Sequence, residues 1–342
     1  GPVVSICPFS EPLGVPAREL ASALAAGCSI LVKPSSKTPI SALQLGRIAL
    51  AAGVPPGTVV VTPAQAEDAA ALVEDQRPGV VSFNGSVEVG RMLRRQAGRR
   101  LVASLGGLPS ALVESDADAE AAATALAPSA FACAGQLHAS VQRILIHERI
   151  ASRFYDRFLQ VVASEMATGD PAGEAVHCGP LIDAAQADRV LEWIERASAV
   201  EARVLIPPDR NGSLLSPAVL AKVPDDHPLL TREAFGPVVV LETYRGVLRG
   251  LERLNAHPPG GVVSIFSQDV RKVLLTQQEA RARLVVHNDS PLSVPASVAD
   301  DYGNSSTGDS GMGDGLERRI AAFTEGSCLL LRRDASGRGW LR

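Results

Sequence analysis

Ser29-Ile-Leu-Val-Lys33, an amphipathic run over 40–52 and Thr58-Val-Val-Val-Thr62 follow one another in the chain. Short β-branched runs closed by polar residues or proline read as strands, and the apolar positions between them recur at helical spacing. Two strands joined through a helix lie parallel, because a hairpin needs only a short turn. The alternation continues on both sides, with strands expected at 3–7, 79–83 and 101–104 and helices at 16–26, 65–75 and 86–98. The first 105 residues therefore predict a parallel sheet with helices on both faces.

The chain has 342 residues, more than the roughly 100–200 expected of one domain, so two domains are expected. With 46% hydrophobic and 20% charged residues, its composition is that of a soluble globular protein. No apolar run is long enough to cross a membrane. A net charge of -4 with scattered basic residues gives no reason to expect nucleic acid or an anionic membrane as partner. Cys7, Cys28, Cys133, Cys178 and Cys328 show no paired metal-ligand spacing, so no metal is expected and a reducing cytoplasm fits. The chain opens at Gly1 directly on an apolar strand, which reads as a fragment or a processed chain.

Doubly wound sheets bind nucleotides beyond the carboxyl ends of their strands. No G-x-G-x-x-G stands there. Ser82-Phe-Asn-Gly-Ser86 does, and its free N–H groups, flexible Gly85 and Ser86 hydroxyl at a helix start suit a pyrophosphate. Taken alone, the segment reads first as an ordinary Ser-capped helix start. Leu31-Val-Lys-Pro-Ser-Ser-Lys-Thr-Pro39 leaves its strand with a lysine able to reach a ribose hydroxyl or a phosphate.

These segments, with Ala25-Ala-Gly27 and Ala52-Gly-Val-Pro-Pro-Gly57 around them, resemble the aldehyde dehydrogenase superfamily. The resemblance implies that Lys33 meets the adenosine ribose, that Gly85 and Ser86 hold the pyrophosphate, and that Phe9, after Pro8, lines the cofactor cleft. Ser36 stands where NAD-preferring members often carry glutamate. A serine beside Lys37 does not repel a 2′-phosphate, so either NAD or NADP is implied as cofactor. Pro63 replaces the family's usual glycine and is expected to crowd the adenine side, weakening that binding.

Phe131-Ala-Cys-Ala-Gly-Gln-Leu-His-Ala-Ser140 resembles the family's nucleophile loop, with His138 at the position of the catalytic cysteine. Ser104-Leu-Gly-Gly-Leu108 resembles its hinge, with Ser104 in place of the general-base glutamate. Ser10, in Pro8-Phe-Ser-Glu-Pro12, replaces the asparagine of the oxyanion hole. Loss of one oxyanion donor typically costs about 100 to 1,000-fold in turnover, and loss of the nucleophile closes the covalent route. The resemblance thus implies an oxidoreductase fold for small aldehydes with a disabled centre. The alternative is a pseudoenzyme kept as an assembly or cofactor-binding module, possibly within a larger polypeptide. Cys133, the nearest thiol, precedes Gly135 and should leave the loop elsewhere. His138 could instead act as a base on a hydrated aldehyde, although no carboxylate lies near it in sequence.

In the second half, a strand is expected at 141–146, a helix at 149–166 and a helix opening at Gly179-Pro-Leu-Ile-Asp183. Leu229-Leu-Thr-Arg-Glu-Ala-Phe-Gly-Pro237 resembles the family segment whose Glu and Phe surround the nicotinamide ribose, which implies that role for Glu233 and Phe235. Strands at 238–241, 262–266 and 284–289, with a helix near 269–281, complete a second α/β unit. The expected fold is α/β and aldehyde dehydrogenase-like, with two doubly wound domains. A partial cofactor domain is expected over 1–105, a catalytic-type domain over 106–315, and a C-terminal helix and oligomerisation strand over 316–342. That last strand, near 327–332, makes a homodimer the expected assembly, with docking inside a larger polypeptide as the other form. Relatives carry well over a hundred residues before the segment matching Gly1.

Overall fold

A computed structural model of the chain describes residues 1–65, 67–97, 100–257, 259–293, 320, 323 and 324. The strand expected near 327–332 and most of the C-terminal helix expected after 316 lie outside them.

The first unit runs β1 (Val3–Ile6), α1 (Gly14–Ala25), β2 (Ile30–Lys33), α2 (Ile40–Ala51), β3 (Val59–Val61), α3 (Asp68–Glu74), β4 (Val80–Gly85), α4 (Val87–Gln96) and β5 (Arg100–Leu105). Its strands are all parallel in the order β3-β2-β1-β4-β5. Side chains alternate across the pleat, which explains why both faces are covered. Val3, Ile30, Val32 and Val80 pack on one side with Leu20 and Ala23 of α1 and Ala49 of α2. Val4, Ile6, Val81 and Phe83 pack on the other with Val73 of α3 and Leu93 of α4. Each fully buried Val, Ile, Leu or Phe here contributes about 1.5–3 kcal/mol of transfer free energy.

Only Gly106 and Gly107 separate β5 from the next strand. The second unit runs β6 (Leu108–Val113), α5 (Ala119–Phe131), β7 (Arg143–His147), α6 (Ala151–Glu165), α7 (Ala184–Ser198), β8 (Arg203–Ile206), β9 (Arg210–Asn211), β10 (Leu214–Leu215), β11 (Ala218–Ala221), α8 (Pro228–Thr231), β12 (Val238–Tyr244), α9 (Val247–Asn255), β13 (Pro259–Phe266), α10 (Val270–Glu279) and β14 (Leu284–His287). Its seven-stranded sheet has the order β14-β13-β6-β7-β12-β11-β8, parallel except that β8 runs against β11. Helices α5 and α6 cover one face through Leu126, Phe131, Phe154 and Phe158. Helix α9 covers the other through Leu251 and Leu254, packed with Leu112, Leu145 and Ile265.

The expected elements are present with ends moved by a few residues. The strand expected from 141 starts at Arg143, and the helix expected from 149 starts at Ala151. Both shifts have local causes. Gln142 spends its side chain on tertiary bonds, and Ile150 turns the chain with φ -116 and ψ 1 before the helix begins. Among the described residues no helix is long and apolar enough to cross a membrane.

Candidate active site

Helix α5 delivers the chain to the loop at 132–142. Its last residue, Phe131, is fully buried, and the backbone then makes three successive left-handed residues: Cys133 (φ 53), Ala134 (φ 55) and Gly135 (φ 66). The first two pay for that conformation in steric strain of roughly 1–2 kcal/mol each. At the third only glycine fits, because a Cβ there would collide with the carbonyl oxygen of Gly236.

Two glutamines fix the loop. The Gln136 amide donates to the carbonyls of Cys133 and Pro180, both at 3.2 Å, and accepts from the Ile182 N–H at 2.9 Å. Gln142 donates to the carbonyls of Leu229 (2.8 Å) and Arg232 (2.9 Å) and accepts from the Ala234 N–H at 2.7 Å. The nucleophile-type loop and the 229–237 segment are therefore bolted to each other. The latter is also held from α7: Gln186 and Arg189 donate to the Ala234 carbonyl at 3.2 and 2.6 Å, with Arg189 lying over the Trp193 ring. Burial pushes the Arg189 guanidinium below its usual range, and the Glu233 carboxylate opposes that shift.

Between these bolted segments, Nδ1 of His138 lies 2.9 Å from Oε1 of Glu233. With an ionised carboxylate as acceptor, Nδ1 carries the proton. Both side chains are largely buried, at 12% and 18% exposure. The Phe235 ring stands 5.1 Å from the His138 ring and meets Phe9, from the other unit, edge-on at 5.6 Å. Phe235 itself has a left-handed backbone, φ 49. The floor is Gly106, where an added Cβ would collide with Oε2 of Glu233 and lie 2.9 Å from Nδ1 of His138. Below the loop, Gly135, Gln142, Glu233 and Gly236 line a cavity of about 10 Å³, room for one water.

His138, Glu233, Phe235 and Phe9 are thus brought together. Ser104 is buried on β5 two residues before Gly106, in register with Asn84 of β4. Ser10 follows Phe9, and its buried hydroxyl makes no hydrogen bond with the described residues. Cys133 is exposed. The absence of a carboxylate near His138 in sequence is corrected by the fold, which supplies Glu233 from 95 residues away. Sequence reading missed the glutamine clamps, Arg189 and the role of Gly106.

The remaining predicted residues stand at strand ends of the first unit. Lys33 closes β2 with 5% exposure, its Nζ 3.4 Å from the Pro34 carbonyl; burial lowers its pKa, while Cys7, Asp68 and Glu67 oppose the shift. Ser36 and Lys37 are exposed just beyond, and Lys37 reaches across to Asp183, the cap of α7, at 3.3 Å. Ser86 caps α4, accepting from the Val89 N–H at 3.3 Å, and Gly85 before it leaves room for the Phe83 ring.

Parallel sheets of this order in two α/β units, with a bolted loop facing the glycine between them, define an aldehyde dehydrogenase-like α/β fold. The chain belongs to the aldehyde dehydrogenase family, whose sequence profile matches residues 1–323. It is 33% identical over 292 residues to 3-sulfolactaldehyde dehydrogenase of Priestia aryabhattai, a match covering 85% of this chain and 61% of that protein. The chain therefore spans about three-fifths of that relative. It superimposes on aldehyde dehydrogenase 21 of Physcomitrella patens, solved with the reaction product succinate, with a TM-score of 0.91 at 29% identity, over 98% of this chain and 70% of that one. Glyceraldehyde-3-phosphate dehydrogenase of Methanocaldococcus jannaschii, complexed with NADP, aligns with a TM-score of 0.86 at 28% identity, over 94% and 71%.

Proposed function

We propose that this chain is a catalytically impaired member of the family, kept as a nucleotide-binding or assembly module rather than as an aldehyde oxidase working through a thioester. The carrying observation is the His138–Glu233 pair: the residue matched to the nucleophile is an imidazole, hydrogen-bonded at 2.9 Å to the carboxylate matched to the nicotinamide ribose. Neither group can form a thiohemiacetal. Ser104 and Ser10 bring no carboxylate or amide to the reacting centre, so the base and the oxyanion donor are absent with the thiol. Cys133 sits exposed on the left-handed turn, while His138 and Glu233 are the groups packed on Gly106.

Retained nucleotide affinity is supported by Lys33, Ser36 and Lys37 at the end of β2 and Ser86 at the end of β4, the two strands that flank β1. NAD and NADP both remain candidates, as does assembly with a second copy or within a larger polypeptide. A reducing cytoplasm is the proposed setting, since Cys7, Cys28, Cys133 and Cys178 are bridged to no other cysteine among the described residues.

The test is NADH or NADPH formation with a panel of aldehydes. The unmodified chain is expected to give none above background, and His138→Cys combined with Ser104→Glu to give measurable turnover. Turnover by the unmodified chain overturns the proposal.

A further inference from the structure

The order β3-β2-β1-β4-β5 reverses direction between β1 and β4. A dinucleotide on such a sheet lies across that reversal, with one nucleotide over the β1–β2 side and the other running toward β4, β5 and whatever follows β5. The two halves of this crevice differ. Past β2, Ser36 and Lys37 are exposed, with Lys37 ion-paired to Asp183 at 3.3 Å, and past β4, across the reversal, Ser86 is exposed at the start of the ten-residue helix α4.

Past β5 the space is taken by the protein itself. Glu233 and His138 rest on Gly106 closely enough that even one methyl group there would strike them. Their mutual bond leaves Oε1 of Glu233 engaged, and their shared burial means that ligand contact requires them to move. Phe235 covers His138, and Phe9 closes against Phe235 from the opposite unit, so ring contacts bridge the mouth of the cleft. The clamps from Gln142, Gln186 and Arg189 hold Glu233 and Phe235 in place, which makes displacement costly.

We infer that this chain is a half-site binder: it takes the adenosine diphosphate moiety common to many nucleotides and gives no added affinity to an attached nicotinamide riboside. The inference rests on the nucleotide-binding reading above and narrows it to a ligand class. The groups beyond the ends of β2 and β4 fit the first half of a dinucleotide, and the His138–Glu233–Phe235–Phe9 plug does not fit the second.

The experiment is calorimetric titration of the full chain with ADP and NAD⁺, and with 2′-phospho-ADP and NADP⁺. Within each pair the two affinities are expected to agree to about threefold. His138→Gly, which removes the plug's centre, is expected to tighten the dinucleotide by about tenfold while leaving ADP unchanged. Phe9→Ala opens the mouth from the other unit and serves if the glycine variant does not fold. A dinucleotide bound about tenfold tighter than its ADP counterpart by the unmodified chain overturns the inference, as does failure of every ligand to bind. An unchanged ratio in folded variants of both residues overturns the plug as its cause. Turnover with an aldehyde would remove the impaired-enzyme reading and is measured separately from these affinity ratios.

Discussion

Oε1 of Glu233 lies 2.9 Å from Nδ1 of His138, and both groups press on the hinge residue Gly106, which comes from neither of their segments. Gly106→Ala is therefore expected to part the pair. Its Cβ would occupy the place of Glu233 Oε2, the far end of a side chain, so the carboxylate can swing aside at a cost of about 1–3 kcal/mol. Gly135→Ala should cost more, since its Cβ meets the backbone carbonyl of Gly236 at a positive φ, where neither partner can yield. Urea unfolding of both variants checks the ranking. Equal losses would show that Glu233 is not what Gly106 accommodates.

Gln142 makes three hydrogen bonds from a buried amide to the segment that carries Glu233. Gln142→Ala would strand the Ala234 N–H and two carbonyls, for an expected loss of about 2–4 kcal/mol. Amide exchange should rise over 229–236 before it rises in β7. Protection unchanged across that segment would assign its rigidity to α7 alone.

The parallel first unit was legible because its strands are short β-branched runs and its helices carry clear apolar stripes. The helix α5 was not, since its Ala-rich sequence is buried on most of its surface and leaves no polar face to mark a period. At the site, the sequence shows the Gly135 and Gln136 frame of the loop, with His138 where the resemblance expects a thiol. It could not show the partner of His138, because that residue lies on the loop entering β7 while Glu233 comes from the turn before β12. A usable signal was present in Gln136 and Gln142. Amides flanking an apolar loop that enters a buried strand must find partners, and here those partners are the 180–182 and 229–234 segments of the second unit.

The thiols should separate by reactivity. Burial pushes the Cys178 thiol up to about 11, and its Sγ donates to the Leu215 carbonyl at 3.6 Å, whereas Cys133 is exposed. Iodoacetamide at pH 8 followed by peptide mapping should label Cys133 first and leave Cys178 intact until the chain unfolds. Because the folded pKa of Cys178 is raised, its contribution to stability is complete below the unfolded value of about 8.5 and is lost as pH rises toward 11. Labelling of both cysteines at one rate in the folded chain would contradict this burial.

Asp116 ties the carboxyl end of β6 to that of β13 and to α10. Its Oδ2 accepts from the N–H groups of Gln268 (2.8 Å) and Asp269 (2.9 Å) and from the Ser267 hydroxyl (2.9 Å), while Oδ1 takes the Lys272 ammonium at 2.6 Å. Burial alone would raise its pKa, but Lys272, Ser267 and the backbone donors outweigh burial and hold the carboxyl well below the usual carboxylate range. A depressed folded pKa gives stability that is present above the unfolded value of about 3.9 and is lost as pH falls through the folded one. Denaturant midpoints followed from pH 7 down to pH 3 should therefore decline partly through this residue. Asp116→Asn keeps an acceptor oxygen but gives up the charge, so it should be the less stable protein at pH 7, and its deficit should shrink as the acid range is entered. A deficit constant with pH would mean that Asp116 acts here through shape and hydrogen bonding rather than through its charge, and that the Lys272 contact adds nothing to the junction.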